Sequence, residues 1–288
     1  MVTPAMSVPA SRFASSPVTR RAVVLAAGRG SRLRAGAGTA GPPLTDDQTR
    51  AASAGLKGLV PLAGRPLLDR ALEALSASGV EEVCLVVGPA TEAVRRRYAG
   101  ATQLGVAVAF ARQESPRGTA DALLAAEAWA AEAPFLMVNS DNLYPPEGLR
   151  RLESVDGCGV LALDRDALLA GGETNVGPRR LAAFALIETD GGGMLRRIRE
   201  KPGPDALATA ARPVLLGVNA WRFTPAIFEA CRAVEPSARG ELELPAAVQR
   251  AVDELGERFA VVTSGGPFWD LTEVSDIPEL ERRWGAPR

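Results

Sequence analysis

The chain has 288 residues, enough to bury a sizeable core, and this length predicts one large domain or two small ones. Its hydrophobic fraction of 47%, charged fraction of 23% and formal net charge of −1 are those of an ordinary globular protein, with no bulk attraction to nucleic acid or membranes. The sequence contains no histidine, which excludes Ser-His-Asp and Cys-His catalysis, His-ligated zinc and His general bases. Any catalysis is therefore expected to use carboxylates, Lys, Arg, backbone amides or a hard metal ion.

The cysteines and the N-terminal segment predict where the protein works. Cys84, Cys158 and Cys231 are far apart in the sequence, and two of them lie in apolar runs, so we expect reduced, buried thiols. No apolar run reaches the roughly 18–20 residues of a membrane span. Residues 1–20 lack the apolar segment of a secretory signal and predict a disordered tail. These features predict a cytoplasmic protein.

Short apolar runs alternate with segments of helical periodicity in the first half of the chain. Strands are predicted at 22–27, 83–88, 106–112 and 135–141, and helices at 66–79, 91–99 and 118–132. Because the strands are apolar on both faces, they are typical of a parallel sheet covered by helices on each side. Residues 35–55 are rich in Gly, Ala, Pro and Thr and predict an inserted flexible loop.

The second half of the chain has a different rhythm, with several strands and no long helix between them. Strands are predicted at 159–164, on both sides of a Gly-rich turn at 190–193, at 214–223 and at 259–264, and helices at 225–234 and 243–255. No linker separates the halves. We therefore predict one α/β domain over 21–288, with a Rossmann-like, mostly parallel sheet sandwiched by helices. A nucleotide-binding half (21–157) precedes a mixed half (158–288).

The first strand runs into a loop of small and cationic residues, VVLAAGRGSRLR (23–34). Ligands of open parallel sheets bind beyond the carboxyl ends of the strands, where Gly28 and Gly30 would let backbone amides approach a phosphate. Arg32 adds a planar cation suited to phosphate oxygens. A nicotinamide oxidoreductase is disfavoured, because its fingerprint requires a glycine where Leu33 stands and an acid that would fall inside the 35–55 insertion.

Eight segments, in order along the chain, resemble the motifs of the sugar-1-phosphate nucleotidyltransferase family. They are LAAGRGSRL (25–33), GLKGLVPLAGRPLLDRAL (55–72), QESPRGTADAL (113–123), VNSDN (138–142), REKP (199–202), GVNAW (217–221), ARGELEL (238–244) and FWDLTEVSDI (268–277). The resemblance spans about residues 22–280. It implies the nucleotide-diphospho-sugar transferase type of fold, with a sugar-binding mixed half.

The resemblance also implies a reaction in which a sugar-1-phosphate oxygen attacks the α-phosphorus of an NTP and expels pyrophosphate. The nucleophile is already an anion, so the lack of histidine is no obstacle. The reaction needs alignment and charge neutralisation, because two polyanions must meet. Arg32, Lys57 and Asp141 match the catalytic positions. As isolated residues, Arg32 and Lys57 would be interpreted as solvated surface charges.

By the same resemblance, the nucleotide contacts the glycine loop, the lysine loop and the loop after the 106–112 strand. The matching residues are Leu25, Ala26, Ala27, Gly28, Gly30, Ser31, Arg32, Lys57, Gln113, Gly118 and Thr119. The amide of Gln113 can donate or accept a hydrogen bond, so this loop does not settle which base is bound.

Asp141 and Asp270 match the family's two metal ligands and predict a Mg²⁺ site, since magnesium is usually held by one or two carboxylates together with phosphate oxygens. An isolated Asp at a strand end is otherwise often a turn former or helix cap. The chain departs from the family at Thr272 and Glu273, which replace the Gly and Thr expected after the second acid.

The sugar phosphate is expected to contact residues that match the remaining motifs. These are Asn142, Glu200, Lys201, Asn219 and Glu241, of which the Glu-Lys pair of REKP could otherwise be an ordinary strand-end feature. A cyclitol phosphate as acceptor, and a nucleotide-sensing paralogue without turnover, both stay open. So does assembly into a homo-oligomer.

The arginine and lysine loops are unusually far apart, with 25 positions from Arg32 to Lys57. The extra segment, residues 35–55, is predicted to form a mobile lid that closes over a bound triphosphate.

Overall fold

The computed structural model describes residues 20–37, 43–101 and 104–285. Its strands are β1 (Arg21–Leu25), β2 (Pro61–Leu62), β3 (Arg65–Pro66), β4 (Glu82–Val87), β5 (Ala107–Arg112), β6 (Phe135–Asn139), β7 (Asn142–Leu143), β8 (Cys158–Asp164), β9 (Ala185–Thr189), β10 (Leu195–Arg199), β11 (Leu215–Phe223), β12 (Phe259–Ser264) and β13 (Trp269–Asp270).

The helices lie between these strands and after them. They are α1 (Ser31–Gly36), α2 (Asp46–Ser53), α3 (Leu67–Ser78), α4 (Glu92–Tyr98), α5 (Thr119–Ala125), α6 (Glu127–Ala130), α7 (Pro146–Glu153), α8 (Arg165–Gly171), α9 (Pro178–Leu181), α10 (Gly203–Thr209), α11 (Ile227–Ala233), α12 (Leu244–Asp253) and α13 (Asp276–Gly285). Among these described helices, none is long and apolar enough to cross a membrane.

Nine strands of the described chain form a central sheet in the order β10-β9-β11-β6-β1-β4-β5, with β8 beside β11 and β12 beside β8. Strand β11 pairs with β8 on one side, and on its other side pairs first with β9 and then with β6. The pairings give β1, β4, β5, β6, β8, β9 and β12 one direction and β10 and β11 the other. The predicted mostly parallel α/β fold is confirmed.

Alternating side chains of the central strands bury both faces of the sheet. In β1, Val23 and Leu25 belong to a core with residues of α5, α11 and α12, whereas Ala22 and Val24 belong to a core with residues of α3 and α7. Fully burying one Val or Leu side chain stabilises the folded state by roughly 1.5–3 kcal/mol. The two-sided burial explains why these strands read as continuous apolar runs.

Most predicted elements lie within a few residues of their observed bounds. In α3 the leucines of the predicted apolar face are buried, and the helix ends at Gly79, whose φ of 109° suits a residue without a side chain. The helix predicted at 118–132 is interrupted at Ala126, between α5 and α6, and nothing in the local sequence explains the break. The three cysteines are free and buried, as predicted.

The prediction of a flexible loop over 35–55 needs correction where α2 lies. Thr45 and Gln48 form a capping box, in which each side chain accepts a hydrogen bond from the other's backbone N–H. Gln48 also donates to the Pro61 carbonyl oxygen over 3.0 Å and to Glu281 over 3.1 Å. Capping and these long-range contacts stabilise a helix despite a composition poor in large apolar residues. Lid closure stays a prediction.

Parts of two predicted segments lie outside the residues that the structure describes. These are the N-terminal tail, of which Arg20 alone is described, and residues 38–42 of the insertion.

Candidate active site

A cavity of about 540 Å³ lies at the carboxyl ends of β1, β5 and β6, the edge where parallel α/β sheets bind ligands. All the residues that sequence analysis assigned to the nucleotide line this cavity. They are Leu25, Ala26, Ala27, Gly28, Gly30, Ser31, Arg32, Lys57, Gln113, Gly118 and Thr119. The fold thus brings together the residues that the sequence predicts to bind the nucleotide. Their contacts with a nucleotide stay a prediction.

The arginine and lysine loops meet through a backbone contact at Gly30 and Gly55. A Cβ built on Gly30 would lie 2.2 Å from the Gly55 carbonyl oxygen, and one built on Gly55 would lie 2.3 Å from the Arg29 carbonyl oxygen. Both glycines have positive φ, of 57° and 70°, which side chains disfavour. Because the two backbones touch, Arg32 and Lys57 reach the same cavity across 25 positions of sequence.

Lys57 and Asp141 form an ion pair in the wall of the cavity. The Lys57 Nζ donates to Asp141 Oδ2 over 2.7 Å, and both side chains are about four-fifths buried. Partial burial strengthens such a charge-assisted hydrogen bond relative to one in water. The carbonyl oxygen of Asp141 accepts from the Leu271 backbone N–H over 2.9 Å. This hydrogen bond connects Asp141, the first predicted metal ligand, to the segment that carries the second, Asp270.

A second, smaller cavity of about 240 Å³ adjoins the first. Of the residues that the structure describes, four line both cavities: Arg32, Lys57, Asn139 and Asp141. Asn142, Glu200, Asn219 and Asp270, all singled out by sequence analysis, line the second cavity. The shared wall is therefore the place where ligands in the two cavities would meet.

Asp270 is buried and surrounded by donors. Its carboxylate accepts from Asn142 Nδ2 over 2.8 Å, from Thr272 Oγ1 over 2.8 Å and from Arg180. Burial raises the pKa of Asp270, and the nearby charge of Asp141 raises it further, while Arg180 opposes the rise. Thr272, which departs from the family motif, thus supplies a hydrogen bond to the acid.

Arg180 is a residue of this site that sequence analysis missed. Its guanidinium bridges Asp270 and Asp276, and it lines the second cavity. In the sequence, Arg180 stands in the unremarkable segment GPRRL, 90 positions before Asp270. No local signal marks it, because the pairing depends on α9 and β13 meeting in the fold.

The acids Asp141 and Asp270 fit a divalent cation with hard oxygen ligands. The residue after Asp141, Asn142, pairs with Asp270 across β7 and β13, so the two acids are carried by adjacent backbone segments. The mutual repulsion of the two carboxylates would be relieved by a cation between them. Among the described residues, no cluster of three or more acidic or Cys side chains could hold a metal, so substrate oxygens would have to complete the ligand set.

The residues predicted for the sugar phosphate are placed differently from one another. Asn219 has φ 55° where the pairing of β11 with β8 shifts register. Glu200 lines the second cavity, and its pKa is raised by burial and by Glu243. Glu241 lines the first cavity rather than the second. Lys201 is not among the described residues that line either one.

The loop that carries Gln113 and Gly118 is packed against the ARGELEL segment. The Leu242 backbone N–H donates to the Arg117 carbonyl oxygen over 2.7 Å, and the Ala120 N–H donates to the Leu242 carbonyl oxygen over 2.9 Å. Gly118 has φ 124°, and a Cβ there would lie 2.4 Å from the Leu242 carbonyl oxygen. A larger residue would therefore displace the loop.

Known proteins resemble this chain in sequence and in fold. The sequence model of the nucleotidyl transferase family matches residues 21–282. A glucose-1-phosphate thymidylyltransferase of Streptomyces antibioticus is 33% identical over 263 residues, which cover 91% of this chain and 65% of that protein. A UTP–glucose-1-phosphate uridylyltransferase of Haloferax volcanii is 29% identical over 269 residues, which cover 91% of this chain and 96% of that protein.

Among solved structures, a UDP-glucose pyrophosphorylase complexed with UDP-glucose superposes with a TM-score of 0.71 at 18% identity, covering 93% of this chain and 98% of that one. An inositol-1-phosphate CTP transferase from T. maritima superposes with a TM-score of 0.67 at 19% identity, covering 95% and 100%. At such identities the likeness concerns the fold. The resemblance noted in the sequence motifs is confirmed by the match over residues 21–282, and the chain belongs to the nucleotidyl transferase family.

Proposed function

We propose that this protein transfers a nucleotidyl group from an NTP to a sugar-1-phosphate, producing an NDP-sugar and pyrophosphate. The observation that carries the proposal is the wall of Arg32, Lys57, Asn139 and Asp141 that the two cavities share. A nucleotide in the larger cavity and a sugar phosphate in the smaller one would bring their phosphates together at this wall.

In the proposed reaction, a phosphate oxygen of the sugar-1-phosphate forms a bond to the α-phosphorus of the NTP. The bond between that phosphorus and the oxygen bridging to the β-phosphate breaks, and pyrophosphate leaves with the bonding electrons. Arg32 and Lys57 would offset the charge that develops on the leaving group, a role in which a fixed cation lowers the barrier by electrostatic stabilisation. The anionic nucleophile needs no proton acceptor, in keeping with a chain without histidine.

We further propose that Asp141 and Asp270 hold Mg²⁺, whose chemistry when bound is to neutralise phosphate charge and align the two substrates. Lys57 would then exchange its contact with Asp141 for one with a phosphate oxygen. Removal of Mg²⁺ with a chelator is expected to weaken nucleotide binding by about tenfold or more, measured by calorimetry, and nucleotide affinity that is indifferent to Mg²⁺ would contradict this assignment.

The activities of the relatives suggest which substrates to try first. They name glucose-1-phosphate together with thymidylyl and uridylyl transfer. The chain spans about 65% of the length of the first of these relatives, and their substrates guide the choice of assay.

Pyrophosphate release, measured with each common NTP and dTTP against a panel of hexose-1-phosphates, tests the proposal. We expect Mg²⁺-dependent turnover with at least one pair. Inositol-1-phosphate is included, because turnover with it alone would replace the sugar by a cyclitol acceptor. Nucleotide binding without turnover for any pair would overturn the proposal in favour of a nucleotide-sensing role.

A further inference from the structure

Asp121 is a buried acid beside the first cavity, and it has no part in the proposed reaction. It stands in the first turn of α5, is 8% exposed, and is not among the described residues that line either cavity. Both of its carboxylate oxygens accept hydrogen bonds. Oδ2 accepts from Gln113 Nε2 over 2.8 Å, and Oδ1 accepts from Arg117 Nη2 over 2.5 Å.

These contacts determine which end of the Gln113 amide faces the cavity. Gln113 Nε2 donates to the Gly118 carbonyl oxygen over 3.0 Å as well as to Asp121. A carbonyl and a carboxylate can only accept, so the amide nitrogen must face them. Gln113 lines the cavity, and its Oε1 accepts no hydrogen bond from any residue in the described part of the chain. The amide therefore presents an acceptor to a ligand.

We propose that Asp121 is a positioning residue for base selection, which holds the Gln113 amide with its oxygen towards the nucleotide cavity. The bound base must then offer an N–H donor at that point, and a base that places an unprotonated ring nitrogen there is rejected. The inference rests on the proposed function only in assigning the base of an NTP to the first cavity.

The surrounding loop has little freedom to let the amide turn over. Its backbone is hydrogen-bonded to Leu242 from both sides, and the Leu244 N–H donates to Thr119 Oγ1 over 2.9 Å. Gly118 is held in contact with Leu242. The choice between oxygen and nitrogen therefore depends on the acceptors around Nε2, of which Asp121 is the one that a substitution can change.

The test exchanges donor and acceptor at position 121. In Asp121→Asn, Arg117 keeps the side-chain oxygen of position 121 as its acceptor, so the new amide nitrogen faces Gln113 Nε2. Two donors in contact repel, so only the Gly118 carbonyl oxygen would still hold Nε2 among the described residues, and the amide would present a donor to the base in part of the molecules. We expect the ratio of kcat/KM between the best and the next-best NTP to fall by about tenfold or more, mainly through KM.

The double variant Gln113→Glu/Asp121→Asn provides the rescue. The carboxylate at position 113 would accept from the Asn amide and again present an oxygen to the cavity, with the net charge of the pair unchanged, although the Gly118 carbonyl oxygen would lose its donor. We expect it to recover part of the base discrimination that the single variant loses. It also keeps the idea testable where the single variant is too unstable to assay.

Asp69→Asn is the matched control. Asp69 is equally buried at 8% exposure, stands in the first turn of α3 and accepts from Tyr98 and Arg97, but lines neither cavity in the part of the chain described. This substitution should lower stability and leave base discrimination unchanged.

An unchanged base ratio in Asp121→Asn would overturn the inference, and so would a double variant that discriminates no better than the single one. The same ratios measured as Kd values for Mg²⁺-NTP by calorimetry separate the two proposals. A wild-type protein that selects among nucleotides but releases no pyrophosphate refutes the proposed reaction alone. One that binds all bases equally refutes the role of Asp121.

Discussion

In the candidate site, each aspartate predicted to bind the metal forms an ion pair with a basic side chain of the protein. Lys57 contacts Asp141, and Arg180 contacts Asp270. Two like charges carried on adjacent segments repel each other, and the repulsion is stronger where water is excluded. Lys57 and Arg180 offset this repulsion and so allow two acids to be held close together in a folded protein.

Asp141→Asn is expected to lower the rate of pyrophosphate release by about a hundredfold or more, because it removes one of two proposed metal ligands and the charge partner of Lys57. Circular dichroism should show an unchanged fold. Asp47→Asn, at an exposed position of α2, serves as the control and should retain wild-type activity. Near-normal turnover in the Asp141 variant would remove this residue from the metal site.

Gly28 and Gly30 should respond differently to alanine. A Cβ at Gly28 meets no described atom within 4 Å, whereas one at Gly30 lies 2.2 Å from the Gly55 carbonyl oxygen. Gly28→Ala is therefore expected to leave thermal stability unchanged while it raises the Kd for Mg²⁺-NTP about tenfold, if phosphate or base approaches the backbone there. Gly30→Ala should lower both stability and affinity. Unaltered nucleotide affinity in Gly28→Ala would argue against close approach of the ligand.

Glu153 predicts a pH dependence of stability that is unrelated to catalysis. It is buried on α7, its Oε1 accepts no hydrogen bond from the residues that the structure describes, and burial raises its pKa to about 7. The ordinary pKa of a Glu side chain is 4.5. Between that pH and about pH 7, the native state binds this proton more tightly than the unfolded state does, so the contribution of Glu153 to stability falls as pH rises.

Glu153→Gln changes the free energy of unfolding by an amount that depends on pH. We expect this change to be more favourable at pH 8 than at pH 5 by about 1–3 kcal/mol, measured by chemical denaturation. Glu147→Gln, an exposed position of the same helix, is the control. An equal effect of Glu153→Gln at both pH values would show that its carboxyl titrates normally.

At the scale of elements, α2 shows how capping and tertiary contacts offset a weak local sequence. The helix has few large apolar residues, and its buried face consists of Gln48, Ala51 and Ala52. Composition alone therefore favoured a loop. The signal that could have predicted the helix is the Thr-x-x-Gln capping box at Thr45 and Gln48, which stands directly before a segment without Gly or Pro.

Thr45→Ala is expected to lower the free energy of unfolding by about 1 kcal/mol, because the Gln48 backbone N–H loses its capping acceptor. Chemical denaturation measures this change. Thr209→Ala, at the exposed end of α10, removes a similar side chain that caps no helix N-terminus and should be nearly neutral. Equal effects of the two substitutions would show that the cap contributes nothing to stability.

At the scale of the whole molecule, β11 joins the two predicted halves into one sheet. Its second part pairs with β6 of the nucleotide half, while β8 and β9 of the mixed half pair with it as well. The ARGELEL segment adds a further connection, because Leu242 is hydrogen-bonded to the loop of Gly118. Neither half can lose its structure without exposing the core of the other.

We therefore expect a single cooperative unfolding transition. Tryptophan fluorescence and far-UV circular dichroism should give the same midpoint, since both follow the same all-or-none process. Separate transitions by the two probes would contradict the prediction of one domain over residues 21–288.

Sequence patterns alone predicted the residue types of the site, their order along the chain and the position of most strands and helices. Hydrophobic periodicity, caps and glycine loops are local properties, so they can be read without knowing the fold. Which polar and charged groups meet became known only from the packing of the folded chain. Arg180 reaches Asp270, and Asp121 accepts a hydrogen bond from the Gln113 amide, through contacts that depend on packing between distant or adjoining elements. Glu241 lines the first cavity, and Lys201 is not among the described residues that line either cavity. A motif does not predict this difference, because side-chain direction follows from backbone conformation and register.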